Sequence, residues 1–192
     1  MITSLGYNIS ENYINLLEGN SGVKKCKNSG FNNENLPLGK VLSLQSENRY
    51  KELLNHLCSN LILNHGEEIF KLKSTLIIVS TTKADINSLP NNTFFSTRDI
   101  ISSKLNNPNE IIFISNACIS GVISINLAVD YLNNDNYDKV VVIGIDILSD
   151  FVVFGFQSLY AHSSNFCKPY NTNRSGINLG EAAGAVILSK NE

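Results

Sequence analysis

The segment Glu110-Ile-Ile-Phe-Ile-Ser-Asn-Ala-Cys118-Ile-Ser-Gly121 sets an apolar run just before a cysteine, then small residues, then a second apolar segment. Residues 111–114 are β-branched or aromatic and of strand length, while residues 119–132 have helix length, so Cys118 falls where a strand hands over to a helix. At a helix N-terminus the unpaired N–H groups and the positive dipole end favour a thiolate, which lowers a cysteine pKa from about 8.5 toward neutrality. Cys118 is therefore a candidate nucleophile, and its small neighbours Ala117, Ser120 and Gly121 let a substrate approach the backbone. The competing reading, a buried and inert thiol, is the commoner fate of a free cysteine and stays open on local sequence.

The rest of the chain alternates helices and strands. Residues 11–19 form a short helix that Ser10 caps and Gly19 ends, and residues 20–45, rich in Gly, Asn, Ser and Lys, read as irregular surface with Cys26 incidental in it. Ser46 opens a helix whose Tyr50, Leu53, Leu54, Leu57, Leu61 and Ile62 share one face and which Gly66 terminates. His56 and Cys58 lie on it without the three or four convergent ligands a metal needs, and His65 complements the helix dipole. Residues 75–80 are a strand, and Thr97 opens the next helix with Asp99 in its first turn. The helix at 119–132 is apolar almost all round, the pattern of a helix buried on every side, which calls for more than three layers. A turn at 133–138 leads to continuous apolar runs at 139–147 and 182–188, as in parallel strands covered on both faces. The fold class is α/β with a mainly parallel sheet.

Composition narrows the function. Hydrophobic residues make up 43% of 192, enough for a real core in one domain. Fifteen basic against seventeen acidic residues, with no basic cluster, leave no electrostatic footprint for nucleic acid or an anionic membrane. The apolar runs fall short of the roughly 20 residues a membrane span needs, and the N-terminus has no basic stretch followed by an apolar one, so the expected location is the cytoplasm. Cys26, Cys58, Cys118 and Cys167 lack metal-type spacing, and free thiols are expected.

Two later stretches add a family resemblance. They are Phe154-Gly-Phe-Gln-Ser-Leu-Tyr-Ala161 and Cys167-Lys-Pro-Tyr-Asn-Thr-Asn-Arg-Ser-Gly-Ile-Asn-Leu-Gly-Glu-Ala-Ala-Gly184. With Asn-Ala-Cys118-Ile-Ser-Gly121 they resemble the β-ketoacyl synthases, the condensing enzymes of fatty-acid and polyketide assembly. The Pro-Tyr…Arg-x-Gly…Gly-Glu-x-x-Gly pattern is the specific part. The opening Ser4-Leu-Gly6…Glu11-Asn-Tyr…Leu17-Glu-Gly-Asn-Ser-Gly22 is similar to the family's start.

The resemblance implies a thiolase-like fold, with residues 1–192 as the N-terminal half of a duplicated αβαβα layered unit. It implies that Cys118 takes an acyl group from a carrier-protein thioester, its backbone N–H forming half of an oxyanion hole, and that Phe156 lines the acyl pocket. Arg174 and Gly176, and the motif Gly180, Glu181 and Gly184 that opens the last strand, are implied to support the fold. The implied partners are acyl carrier protein, acyl and malonyl thioesters, and a thiolase-fold subunit, either a second copy joined at the edge strand 110–115 or a different chain. No cofactor or metal is implied.

The chain departs from the family pattern at Ser175, where an acidic residue is usual, and at Ala182, where a glycine is. The family's two histidines and lysine for decarboxylation and condensation lie in a second half that this sequence lacks, and its first strand is missing or reduced to residues 1–3. The expectation is an incomplete copy, clipped at both ends, in which His56, His65 and His162 have no catalytic role. One rival is a non-catalytic thiolase-fold partner that shapes an acyl pocket, although such partners have commonly lost the cysteine. The other is a cysteine hydrolase, which needs a histidine base beside the thiol.

Overall fold

The computed structural model describes residues 1–190. Its elements in chain order are α1 (Ile9–Leu17), β1 (Lys24–Cys26), β2 (Leu36–Leu38), α2 (Arg49–His65), β3 (Thr75–Ser80), α3 (Phe95–Leu105), β4 (Ile112–Ile114), α4 (Ser120–Asn133), β5 (Lys139–Asp146), α5 (Asp150–Ser158) and β6 (Ala182–Ser189). The chain divides into two compact units, the first comprising Gln45–Asp146 with Met1 and the segment from Ala183, the second Ile2–Leu44 with Ile147–Ala182.

In the first unit β3, β4 and β5 pair as the sequence implies, while β6, expected to be covered on both faces, is largely half-buried or exposed, with Val186 48% exposed. The sheet order is β4-β3-β5-β6, with β3 parallel to both neighbours: Ile78 faces Ile112 on one side and Val142 on the other. Every residue of β3 is buried, as expected of a parallel strand covered on both faces. Leu76, Ile78, Val140 and Val142 form a core with Ala128 and Leu132 of α4. On α2, Tyr50, Leu53, Leu54, Leu57, Cys58 and Leu61 are the buried stripe, and Gly66 at φ +75 ends the helix as expected. Its cap is Asn48, whose side chain accepts from Lys51 N, and not Ser46. Thr97 does not open α3 either: it sits inside the helix, fully buried, with its hydroxyl 2.8 Å from the Tyr50 hydroxyl.

The expectation for α4 is only partly met. Ser120, Ser124, Ala128 and Leu132, at a four-residue spacing, form its buried stripe, while Ile119 just before the helix and Val122, Ile125 and Val129 on it are 40–63% exposed. Small side chains at the first three stripe positions let the helix lie close to the sheet, and its other apolar face is open among the described residues.

The second unit holds a pairing that the sequence hid. β1 and β2 form an antiparallel hairpin, Lys24 facing Leu38 and Cys26 facing Leu36, inside the stretch read as irregular. Lys-Lys-Cys and Leu-Pro-Leu carry no strand signal, and proline demotes a run read as a strand. Leu36 and Leu38 pack with Val153 of α5, and Cys26, Leu148, Phe154 and Leu179 close around them. The cap of α1 is Asn8 and not Ser10: Asn8 Oδ1 accepts from Glu11 N at 2.8 Å, while Glu11 accepts from Tyr7 N, one residue before the cap, at 2.8 Å. Gly22 packs so closely on Ser4 that a Cβ there would lie 3.0 Å from the Ser4 carbonyl carbon. The opening Ser4…Gly22 resemblance is thus a packing contact.

The family-like C-terminal motifs are structural here. Glu181, 3% exposed, accepts from Val41 N at 2.9 Å on one carboxylate oxygen and from Leu148 N at 3.1 Å on the other. Gly176 has φ +119, and a Cβ would fall 2.6 Å from the Ala161 carbonyl oxygen. Only glycine fits there without the chain shifting. Arg174 is exposed and donates to Asn171 O at 3.2 Å.

His162 bridges to Ile177 in this unit, and both ring nitrogens are buried without a hydrogen-bond partner. Burial lowers its pKa below the ordinary value, with the Ser163 backbone opposing in part. The unfolded chain therefore binds more protons than the folded one just below the usual histidine pKa of about 6.5, and stability present above that pH is lost as the pH falls toward the folded value. Thermal unfolding between pH 8 and pH 5 should show a decline on the acid side that is smaller in His162→Leu. Parallel curves for the two proteins would contradict this.

Candidate active site

Cys118 stands on a turn held from both sides. β4 ends at Ile114, whose carbonyl accepts from Thr81 N at 3.1 Å, and the next residue, Ser115, donates its hydroxyl to Thr82 O at 3.0 Å. Residues 117–119 form a single 3-10 turn before α4 begins at Ser120. Cys118 therefore lies one short turn ahead of the helix and not in its first α turn.

Ser120 ties this turn together. Its hydroxyl accepts from Asn116 N at 2.8 Å and donates to Ala117 O at 2.7 Å. Between these two bonds Ala117 adopts φ +48, a left-handed conformation that alanine reaches only under tertiary constraint. Residues Ser115 to Ile119 are exposed, so the Cys118 thiol faces outward. A Cβ on Gly121, in the first turn of α4, would meet nothing nearer than Ser80 Oγ at 3.9 Å. The strained turn projects an accessible sulfur from the carboxyl end of a sheet strand, a usual location for sites in α/β proteins.

The other cysteines differ. Cys58 is buried in the α2 stripe, and burial pushes its thiol up to about 12. Cys26 and Cys167 are half-buried, and Cys167 N donates to Asn178 Oδ1 at 2.8 Å. Site-resolved alkylation at neutral pH should modify Cys118 first and Cys58 only on unfolding, because the thiolate is the reactive form and Cys58 can neither ionise nor be reached. Equal labelling of Cys58 in the folded protein would contradict the assignment.

Phe156 belongs to the second unit, on α5, and is half-buried. Among the described residues no group of three or more His, Cys, Asp or Glu is placed to hold a metal ion, and no helix is long and apolar enough to cross a membrane.

Residues 80–192, from the last position of β3 onward, match the sequence model of the family described as Beta-ketoacyl synthase, N-terminal domain. The chain belongs to that family. Among solved structures, a ketosynthase in complex with its chain length factor from Xenorhabdus doucetiae is 20% identical, with a TM-score of 0.78 over 100% of this chain and 56% of that one. The ishigamide ketosynthase/chain length factor is 19% identical, with a TM-score of 0.82 over 98% and 56% of the two chains. A type II polyketide synthase acyl-carrier protein in complex with its ketosynthase bound to the hexaketide gives 17% identity and a TM-score of 0.77 over 98% and 55%. These likenesses give the fold, α/β and thiolase-like. The chain spans little more than half the length of each structure, and no curated protein matches it at a significant level.

Within this β-ketoacyl synthase domain, sequence reasoning missed the polar residues at the ends of β3 and β5, next to the segment that leads to the cysteine. Thr81, Thr82 and Lys83 follow β3 directly, and Asp146 ends β5; the Asp146 carboxylate and the Lys83 ammonium are 3.1 Å apart. A readable signal was present, since polar residues placed right after buried parallel strands collect at the carboxyl edge of the sheet.

Proposed function

We propose that this chain carries the acyl-accepting step of a condensing acyltransferase, with Cys118 as the nucleophile. The observation that supports it is the exposed cysteine on a positive-φ turn between β4 and α4, inside the region that matches the family. The Cys118 sulfur attacks the carbonyl carbon of an acyl thioester, a new C–S bond forms, and the carrier's thiolate leaves with the electrons of the old one and takes up a proton. The Cys118 N–H is the donor we assign to the developing oxyanion. In the full reaction a carbanion, generated from a malonyl thioester with loss of carbon dioxide, attacks the acyl-cysteine and releases the thiol. The named neighbours in complex with a carrier protein and with chain length factors support an acyl carrier protein and a thiolase-fold subunit as partners.

A second reading, a non-catalytic thiolase-fold partner, draws on the same chain-length-factor complexes. Thiol release from an acyl thioester separates the readings. One equivalent released per chain and then arrest supports the acyl-enzyme, continued turnover to free acid supports a hydrolase, and no release supports the partner role.

Association should run through β4. It is the outer strand of its sheet and, as Ile-Phe-Ile, carries neither lysine nor proline to blunt a free edge. We expect a homodimer, or pairing with a second thiolase-fold subunit, across this edge. Sedimentation velocity at micromolar concentration should show a dimer that Phe113→Lys weakens; a monodisperse monomer would contradict the homodimer and leave pairing with a different subunit.

A further inference from the structure

The Asp146 carboxylate gathers the segment that follows β3. It accepts from Thr81 Oγ1 at 3.1 Å, from Thr82 N at 3.2 and 3.0 Å on its two oxygens, from Thr82 Oγ1 at 2.8 Å and from Lys83 Nζ at 3.1 Å. Lys83 Nζ also donates to Thr82 Oγ1 at 2.8 Å, so that hydroxyl both gives and receives. The Lys83 and Asp146 side chains are only 16% and 32% exposed, and charge-assisted bonds in such partly dry surroundings are stronger than neutral ones.

The segment held in this way is the one that holds the cysteine turn. Thr81 N donates to Ile114 O, and Thr82 O accepts the Ser115 hydroxyl at 3.0 Å. A continuous path thus runs from the end of β5 through Thr82 to Ser115 and on to Cys118. The sheet cannot do this work alone. β4 is three residues long and among the described residues pairs only with β3, the ladder ends at Ser80 facing Ile114, and every residue from Ser115 to Ile119 is exposed. Ala117 at φ +48 keeps its conformation only while both flanks are fixed. Ser120 holds the turn from inside, through Asn116 N and Ala117 O, and Ser115 on Thr82 anchors the residue that leads into it.

We propose that Asp146 is a positioning residue for Cys118, acting through Thr82 and Ser115 with Lys83 as its counter-ion. The inference builds on the acyl-accepting role of Cys118. It concerns where the sulfur and the Cys118 N–H sit, not the ability of the thiol to react. Misplacing a reacting group by about 1 Å costs on the order of a hundredfold in rate, so the clamp is felt in acyl transfer before it is felt in stability.

The test compares Asp146→Asn, Ser115→Ala and the double variant well below their unfolding temperatures. Asparagine keeps one acceptor but turns an amide NH₂ toward donors and leaves Lys83 without its charge partner. Ser115→Ala changes only an exposed hydroxyl, so it reads the last link of the path even where Asp146→Asn folds poorly. Each single variant should speed amide hydrogen exchange across residues 115–119 about tenfold, leave β5 protected, and slow single-turnover acylation of Cys118 by roughly 10- to 100-fold. Alkylation by iodoacetamide, which needs no oxyanion donor, should stay within about threefold of wild type. The double variant should be little worse than either single, because both cut one path. Unchanged exchange and acylation in the folded variants, or fully additive losses, would overturn the proposal. If wild-type Cys118 takes no acyl group at all, the functional reading fails, while hydrogen exchange still decides whether Asp146 holds the turn.

Discussion

Given an acyl thioester and a malonyl carrier protein, the 192-residue chain is expected to become acylated and to form no 3-oxoacyl product above the uncatalysed background. Condensation in this family needs two imidazoles to stabilise the enolate. This chain has three histidines, none on β4, the cysteine turn or α4. His56 faces Glu52 on α2 at 3.7 Å, His65 is exposed at that helix's end, and the ring nitrogens of His162 are buried. Removing members of a catalytic group that act together costs about 10⁴-fold or more, leaving binding and partial oxyanion stabilisation. Product that appears and is abolished by Cys118→Ala would show that one of these histidines acts after all, His162 being the first suspect.

Replacing Glu181 should produce the largest loss of stability of any single polar change in the second unit. Its buried carboxylate joins Val41, after β2, to Leu148, before α5, through one oxygen each. Glu181→Ala removes the acceptor from the buried Val41 N–H and the half-buried Leu148 N–H and opens a hole, which at about 1.5–3 kcal/mol per bond to a charged group predicts a loss of about 3 kcal/mol or more. For a chain of this length that corresponds to a fall in Tm of roughly 6–12 °C. Glu181→Gln should recover about half, since its amide oxygen serves one donor while its NH₂ group opposes the other. A Tm within about 2 °C of wild type for Glu181→Ala would contradict the assignment, being less than the change expected for 1 kcal/mol.

What the sequence revealed and what it hid follow from where the information lies. The strands β3, β4 and β5 and the helix α2 were legible because burial on both faces, or on one stripe, writes an apolar pattern of fixed period into consecutive residues. Cys118 was legible as a strand-to-helix position for the same reason. The β1–β2 hairpin was not, because Lys24-Lys-Cys and Leu36-Pro-Leu pair through backbone contacts that leave no periodic trace. Helix caps slipped by two residues, from Ser10 to Asn8 and from Ser46 to Asn48, since asparagine caps as well as serine does and this chain offers both close together. The buried stripe of α4 is made of serines and alanine, so its apolar residues, read as core on every side, partly point outward. The clamp of Thr82, Lys83, Asp146 and Ser115 joins positions 63 residues apart, a distance at which no local pattern can report contact.

The acyl-accepting role of Cys118 is tested most directly by finding which residue carries the acyl group. The folded chain is incubated with an acyl carrier-protein thioester, quenched, digested, and its four cysteine peptides are weighed by mass spectrometry. The predicted result is one acyl group per chain, on the peptide containing Cys118, and no adduct in Cys118→Ala. Acyl groups on Cys26 or Cys167, or an unmodified Cys118 under conditions where iodoacetamide labels it, would contradict it.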